Sequence, residues 1–214
     1  MTSRARVVLS VSTWQQPMPP PPSTTRAAAI DQIAERILGR GDRRLRIAID
    51  GRTAAGKTSI GNELAQRVAD TGRDAFRASL DDFKRPWNEA HLYDRISAAG
   101  YYRNAFDYET ARRLLIDPAA PTGSGLISLC SIDPLTQSDH STTTVGMPID
   151  GVLLVDGVFL LRPQLDDVWD LRIWIEIDPE LALRRGAARD AEMEGGLDEA
   201  ERLHRVRPRS LECA

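Results

Sequence analysis

Lysine, cysteine and histidine are scarce in this chain of 214 residues. Only two of its 28 basic residues are lysine, Lys57 and Lys84, so the position of each is informative. The two cysteines, Cys130 and Cys213, lie far apart, without the spacing of a metal site or of a disulfide framework. The three histidines are scattered, with no cysteine or carboxylate at ligand spacing, so no metal cage is expected. This cysteine usage is typical of a reducing compartment, and we expect a cytoplasmic protein.

Long hydrophobic runs and a strong net charge are lacking too. No apolar run approaches the roughly 20 residues that a membrane-spanning helix needs, so no membrane partner is expected. The formal net charge of −3 gives no basic field, so no nucleic-acid partner is expected either. The length, with 42% hydrophobic and 28% charged residues, fits one globular domain.

Proline dominates the end of the first 24 residues, where five of the six residues 17–22 are proline. Proline lacks the backbone donor that a helix or a central strand requires. We therefore expect a disordered, Pro-rich leader over residues 1–24 and a single domain over residues 25–214. A Pro-rich docking ligand is the alternative interpretation of the leader.

Apolar periodicity beyond the leader alternates between helix and strand. Helical spacing covers residues 27–38 and recurs at Ile60, Leu64 and Val68, whereas short β-branched or aliphatic runs predict strands. The predicted strands are residues 45–50, 75–80, 152–155 and 171–177. This alternation predicts a three-layer α/β/α fold with a mainly parallel, five-stranded sheet.

Three further segments have less regular patterns. Residues 82–106 are polar and aromatic without clear periodicity, which suits a substrate flap, and a short helix is expected from about residue 107 to 115. The segment 117–148 is rich in turn-forming residues, and only residues 126–132 resemble a strand of a possible hairpin. Asp178 and Pro179 form a favourable helix start, so a helix is expected from Pro179 onward.

The strongest motif is Gly-Arg-Thr-Ala-Ala-Gly-Lys-Thr at residues 51–58, between a predicted strand and a predicted helix. Glycines let backbone N–H groups wrap closely around phosphates at the positive end of a helix. In this pattern Lys57 reaches the outer phosphates and the Thr58 hydroxyl binds Mg²⁺. The motif predicts a nucleoside triphosphate site formed by Gly51, Arg52, Thr53, Ala54, Ala55, Gly56, Lys57, Thr58 and Ser59.

Acidic residues follow two of the predicted strands, at the sheet edge where ligands of parallel sheets bind. Asp156 is placed to approach a metal ion or its waters, although a turn before Gly157 would also explain it. Asp81 and Asp82 form a pair, and one of them is suited to accept or orient the proton of an attacking hydroxyl. A solvated loop pair is equally compatible with the pattern, which favours neither aspartate.

Arginines and aromatic residues offer two further candidates. Arg185 and Arg189 are four residues apart on the helix predicted after Pro179, so both guanidinium groups share one face and suit a clamp on phosphates. A solvated face balanced by neighbouring acidic residues is the alternative. Tyr101, Tyr102 and Phe106 would serve as a pocket wall or as core.

Four segments together resemble the uridine kinase-like family, within the broader group that contains phosphoribulokinase and pantothenate kinase. They are residues 47–58 with the phosphate loop, Ser-Leu-Asp-Asp-Phe at 79–83, Gly-Tyr-Tyr-Arg-Asn-Ala-Phe-Asp-Tyr at 100–108, and Leu-Leu-Val-Asp-Gly-Val-Phe-Leu at 153–160. The likeness extends from about residue 27 to about residue 205. The phosphate loop is shared by many NTPases, whereas its combination with the other segments is more specific.

The resemblance implies Mg²⁺-ATP-dependent phosphoryl transfer to a hydroxyl. It implies that Asp81, rather than Asp82, is the catalytic base, with Lys57, Arg185 and Arg189 as the other catalytic groups. The two arginines match those of the family's lid helix, which implies a lid over about residues 180–205. It also implies a metal site of Thr58, Asp81 and Asp156. The residues that it places against the acceptor are Asp81, Phe83, Tyr102, Arg103 and Asp107.

The chain departs from the family at three places. Lys84 stands where uridine kinases carry an aromatic residue, and the loop 118–148 lacks the residues expected around a uracil ring. Residues 204–214 end where relatives usually continue with a further aromatic-containing segment. We expect ATP and a small-molecule hydroxyl acceptor, a nucleoside first, as ligands. A kinase for pantothenate or a sugar phosphate, and an ATP-binding regulatory protein with weak catalysis, remain alternatives. A homo-oligomer is an open possibility.

Overall fold

A five-stranded parallel sheet organises the computed structural model, which describes residues 5–14, 23–92, 94, 97–192 and 195–206. Its strand order is β1-β3-β6-β2-β7, and a separate two-stranded antiparallel sheet is formed by β4 and β5. In chain order the strands are β1 (Val7–Leu9), β2 (Leu45–Gly51), β3 (Ala75–Ser79), β4 (Leu126–Ile127), β5 (Val145–Gly146), β6 (Val152–Asp156) and β7 (Leu171–Ile175). The predicted fold class is confirmed.

Helices cover both faces of the large sheet. They are α1 (Thr24–Leu38), α2 (Lys57–Asp70), α3 (Ala98–Asn104), α4 (Tyr108–Ala111), α5 (Pro179–Asp190) and α6 (Leu197–Val206). Short 3₁₀ segments occupy Leu80–Phe83, Trp87–Leu92 and Asp166–Val168, and a π-helical turn at Arg112–Ile116 continues α4. Within the described residues, no helix is both long and apolar enough to cross a membrane.

Two hydrophobic cores hold the layers together, one on each face of the sheet. On one face α1 and α2 pack on the strands through residues such as Ile37, Leu64 and Val68. On the other face the larger core includes Phe76, Phe106 and many aliphatic side chains. Burial on both faces explains why the central strands read as continuous apolar runs rather than alternating ones.

The amino-terminal segment differs from the disordered leader expected over residues 1–24. Val7–Leu9 form an edge strand in parallel register with β3, with Val7 opposite Ala75 and Leu9 opposite Arg77. The hydroxyl of Ser23 accepts a hydrogen bond from the Arg26 backbone N–H and caps α1, which therefore starts before the predicted residue 27. The expectation is wrong at these positions, and the Pro-rich residues 17–22 lie outside the described residues.

The predicted flap and lid contain ordered elements where they are described. The flap interval includes two 3₁₀ segments and α3, and the lid interval consists of α5 packed against α6. The possible hairpin of the 117–148 segment corresponds to the short pair of β4 and β5. The boundaries of leader, flap and lid as functional units stay predictions.

Candidate nucleotide and acceptor site

The phosphate loop links the carboxyl end of β2 to the amino end of α2. Residue 54 has a φ of 60° and Gly56, which caps α2, has a φ of 90°, both in the left-handed region. Gly51 has a φ of 147°, and a Cβ atom there would lie 2.5 Å from the Ile175 carbonyl oxygen on β7. The first glycine is therefore needed both for its backbone angle and for the closeness of β7.

Lys57 is the first residue of α2 and is buried beneath this loop. Its ammonium donates to the carbonyl oxygens of Gly51 at 3.0 Å and Arg52 at 2.7 Å. Burial lowers the pKa of Lys57, while the charges of Asp156, Asp50 and Asp81 oppose that shift. The lysine thus lies among three carboxylates at the carboxyl edge of the sheet.

Asp156, the last residue of β6, uses both carboxylate oxygens. Its Oδ2 accepts a hydrogen bond from the Thr58 hydroxyl at 2.7 Å, and its Oδ1 accepts one from the Arg77 guanidinium, also at 2.7 Å. A carboxylate beside a hydroxyl at the phosphate loop supplies the oxygen ligands that Mg²⁺ prefers, with few protein groups and several waters. The surroundings of Asp156 and Thr58 therefore fit a magnesium site.

Arg77 is a site residue that the sequence analysis missed. It lies within β3, its side chain is 5% exposed, and it donates further hydrogen bonds to Asn62 Oδ1 and to the carbonyl oxygens of Ala78 and Leu154. A Cβ atom on Gly61 of α2 would lie 2.6 Å from Arg77 Cζ, so the helix has no room for a side chain there. The sequence signal that could have revealed Arg77 is a charged residue within an otherwise apolar strand.

Asp50 was also given no role from the sequence, although it precedes the phosphate loop. Its Oδ1 accepts a hydrogen bond from the Gly51 N–H at 2.7 Å, and its Oδ2 accepts one from the Leu161 N–H at 3.0 Å. Burial raises the pKa of Asp50 despite these bonds and the nearby charge of Lys57. The side chain ties the start of the loop to the segment that follows β6.

The adjacent aspartates after β3 have different surroundings. Asp81 pairs with Lys84, with 2.8 Å between Oδ1 and Nζ. Burial acts to raise the pKa of Asp81, but the positive charges of Lys84, Lys57 and Arg189 outweigh it and lower the pKa. Asp82 is only 2% exposed, and burial raises its pKa to about 7. The structure thus brings Asp81, but not the side chain of Asp82, into an ionised cluster with Lys57.

Arg189 of α5 belongs to a small network at the junction with α6. Its Nε donates to Asp190 Oδ1 at 2.6 Å, and Asp190 Oδ2 lies 2.8 Å from Nε2 of the buried His204. The positive charge of Arg189 also acts on Lys57 and Asp81. Arg185, one turn earlier, is exposed to solvent. The spacing on α5 is therefore as predicted, and the partner residues of Arg189 were missed.

The four other predicted acceptor residues have different local environments. Asp107 caps α4, because its two oxygens accept from the N–H and the hydroxyl of Thr110 at 3.0 and 2.8 Å. Phe83 is fully buried in the larger core, where its side chain has a packing role. Tyr102 is half-buried and lies 4.5 Å from the Arg162 guanidinium, ring centroid to Cζ, whereas Arg103 is exposed. Phe83 is thus the member closed to solvent, whereas Asp107 and Tyr102 are half-buried and Arg103 is exposed.

Curated relatives of the chain are uridine kinases. The uridine kinase of Halobacterium salinarum is 27% identical over 159 residues, which are 72% of this chain and 68% of that protein. The uridine kinase of Staphylococcus carnosus is 26% identical over 167 residues, 76% of this chain and 77% of the relative. No family model matches the chain.

Solved structures share the fold at lower identity. A putative fructose transport system kinase from Silicibacter has a TM-score of 0.67 at 22% identity, covering 86% of this chain and 90% of its own. A possible uridine kinase from Bacillus stearothermophilus has a TM-score of 0.63 at 21% identity, covering 85% and 92%. By sequence and by fold, the chain is a distant relative of the uridine kinase-like P-loop kinases.

Proposed function

We propose that this protein is an ATP-dependent kinase that transfers a phosphoryl group to a hydroxyl of a small molecule, a nucleoside in the first place. The observation that carries the proposal is the convergence of Lys57, Asp156 and Asp81 at one edge of the sheet, where the start of α2 bonds to the end of β6 and β3 lies beside β6. A phosphoryl transfer enzyme needs a phosphate cradle, a metal-side carboxylate and a group that receives the acceptor proton. The kinase relatives support the same reaction class.

The phosphates of ATP would bind at the loop between β2 and α2. This loop leads into the amino end of α2, where an anion is favoured. In the structure the Lys57 ammonium bonds to loop carbonyls, and we infer that it exchanges these for phosphate oxygens. Asp156 and Thr58 would hold Mg²⁺, which neutralises charge on the transferring group.

Asp81 would orient the acceptor hydroxyl and take its proton. Because Lys84 and the other nearby cations lower the pKa of Asp81, the carboxylate is ionised and available as an acceptor at neutral pH. In a loose phosphoryl-transfer transition state, positioning matters more than base strength. An ionised, fixed carboxylate suits that requirement.

The lid would complete the charge balance. Arg189 is held by Asp190, so its guanidinium is oriented before the substrates arrive, whereas Arg185 lies at the exposed surface of α5 and can change its conformation there. Forked arginine donors match phosphate oxygens geometrically. Closure of the lid would exclude water, which otherwise competes with the acceptor for the phosphoryl group.

Lys84 favours a second candidate acceptor. Its ammonium lies beside the proposed base, at the position where uridine kinases have an aromatic residue. A cation there suits an acceptor that carries a phosphate or carboxylate, such as a sugar phosphate or pantothenate. The nucleoside comes first because uridine kinases dominate the curated relatives.

The experiment is acceptor-dependent ADP release measured over uridine, cytidine, pantothenate and sugar phosphates. Asp81→Asn should reduce kcat by on the order of 10²–10⁴-fold, because the proton acceptor is lost, and should leave ATP affinity nearly unchanged. Asp70→Asn, at the exposed far end of α2, is the matched control and should behave as wild type. Undiminished turnover in Asp81→Asn would remove this residue from its role. ATP binding without acceptor-dependent ADP release would instead favour the regulatory alternative.

A further inference from the structure

The strand β1 brings the amino-terminal segment to the same edge of the sheet as the proposed acceptor site. Strands β1 and β3 are parallel, so their carboxyl ends point in the same direction. The chain leaves β1 at Leu9, while β3 leads through Ser79 into the segment that holds Asp81. Residues 10–14, which we name the N-terminal strap, therefore start beside that segment.

Hydrogen bonds fix the strap to the neighbouring loop that contains Asp133. The N–H and the hydroxyl of Thr13 donate to Asp133, at 2.6 Å to Oδ2 and 2.9 Å to Oδ1. Ser12 is 3% exposed, its hydroxyl accepts a hydrogen bond from the Trp14 N–H at 3.1 Å, and the nearby hydroxyls of Ser10 and Ser12 act to lower the pKa of the buried Asp82. The Asp133 carboxylate and a turn within the strap thus hold a segment that the sequence alone assigns to a leader.

This anchoring places an aromatic ring beside the proposed catalytic base. The ring centroid of Trp14 lies 5.8 Å from Lys84 Nζ, and the same ammonium lies 2.8 Å from Asp81 Oδ1. Trp14 is half-buried, so part of its ring surface is accessible. One ammonium group therefore separates an indole from the carboxylate that would meet the acceptor hydroxyl.

We propose that the N-terminal strap forms one wall of the acceptor site and that Trp14 is a specificity-determining residue. Its indole would pack against a planar ring of the acceptor while the acceptor hydroxyl meets Asp81. A large flat ring offers this surface with little loss of side-chain freedom, and aromatic stacking tolerates a range of planar partners. The strap would thus supply contacts to the acceptor ring in place of those that segment 118–148 lacks. This inference rests on the proposed function, because it concerns the acceptor of that reaction.

The test compares Trp14→Leu with Trp14→Phe in the full chain, using uridine as the probe in the ADP-release assay. Leucine fills space without a planar face, so the KM for uridine should rise about 5- to 100-fold, the range typical of lost base stacking. The KM for ATP and kcat should stay within about 2-fold, since the phosphate loop lies apart from the strap. Phenylalanine restores a planar face and should recover most of the KM.

Trp174 provides the matched control, because β7 is the opposite edge of the sheet from β1. Trp174→Ala should leave all three constants at the wild-type values, and thermal unfolding of each variant checks that the fold is retained. Wild-type turnover with an unchanged uridine KM in Trp14→Leu would overturn the role of Trp14 and leave the proposed function standing. A wild-type protein that turns over no acceptor of the panel would overturn both.

Discussion

Replacement of Arg77 by methionine is the sharpest test of how the site is held together. The Arg77 and Asp156 side chains are only 5% and 4% exposed, and their charged atoms are 2.7 Å apart. Arg77→Met removes the cation and leaves the Asp156 carboxylate buried beside Thr58 with one hydrogen bond fewer. Removing one partner of a buried ion pair costs about 3–5 kcal/mol, because the other charge stays uncompensated.

That loss is a large fraction of the roughly 5–15 kcal/mol by which a domain is usually stable. Equilibrium urea unfolding should therefore show a clearly lower midpoint for Arg77→Met at an unchanged slope. Arg6→Met is the matched control, because Arg6 pairs with Asp74 while its own side chain is 63% exposed. An exposed pair of this kind contributes only about 0–1 kcal/mol.

A double-mutant cycle separates the ion pair from simple loss of packing. Arg77→Met leaves the Asp156 charge unpaired, and Asp156→Asn removes that charge. The loss of unfolding free energy in the double variant should therefore be smaller than the sum of the two single losses by at least about 1 kcal/mol. The explanation is refuted if Arg77→Met costs no more than Arg6→Met. It is refuted equally if the two changes at Arg77 and Asp156 are additive.

Two further predictions concern pH. Lys84→Met removes a positive charge beside Asp81 and should therefore raise the pKa of Asp81. The acid limb of the plot of kcat/KM against pH should then move to higher pH. An unmoved limb would show that Lys84 does not control the ionisation seen in that limb. The pKa of Asp82 is about 7 in the folded protein and has an ordinary value of 3.8, so folding favours its protonated form. This stabilisation is complete below pH 3.8 and is lost as pH rises through 7. Between about pH 3 and 8, the unfolding free energy of wild type should therefore fall by up to about 4 kcal/mol relative to that of Asp82→Asn, as measured by urea titration. A difference between the two proteins that stays constant with pH would contradict this pKa for Asp82.

The nucleotide half of the site follows from local sequence. The segment from Leu45 to Asp70 contains a strand, a glycine loop and a helix in direct succession, and this order of elements is set by short-range spacing. The location of Lys57 and Thr58 at the start of a helix is therefore predictable from the motif and its flanking patterns. The same holds for Asp156, since it ends a strand that is buried throughout.

The missed features depend on distant pairing. Strand β1 has only three residues and gains its hydrogen bonds from β3, so no periodicity of its own marks it. Arg77 alternates with apolar neighbours and looks like a solvent-facing residue, whereas α2 covers it at Gly61. His204 and Asp190 lie 14 residues apart and meet only because α5 and α6 fold back on each other. Tertiary contacts overrode local pattern in each case.

The N-terminal strap has a consequence for the order in which the protein is completed during synthesis. Thr13 emerges from the ribosome 120 residues ahead of Asp133, the side chain that holds it. Domains form as their segments become available, and contacts between distant segments close late because a long loop must first be ordered. The first residues made are therefore among the last to be fixed, and because Leu161 and Ile175, which contact the start of the phosphate loop, emerge after Asp133, the two halves of the site close only once most of the chain has been made.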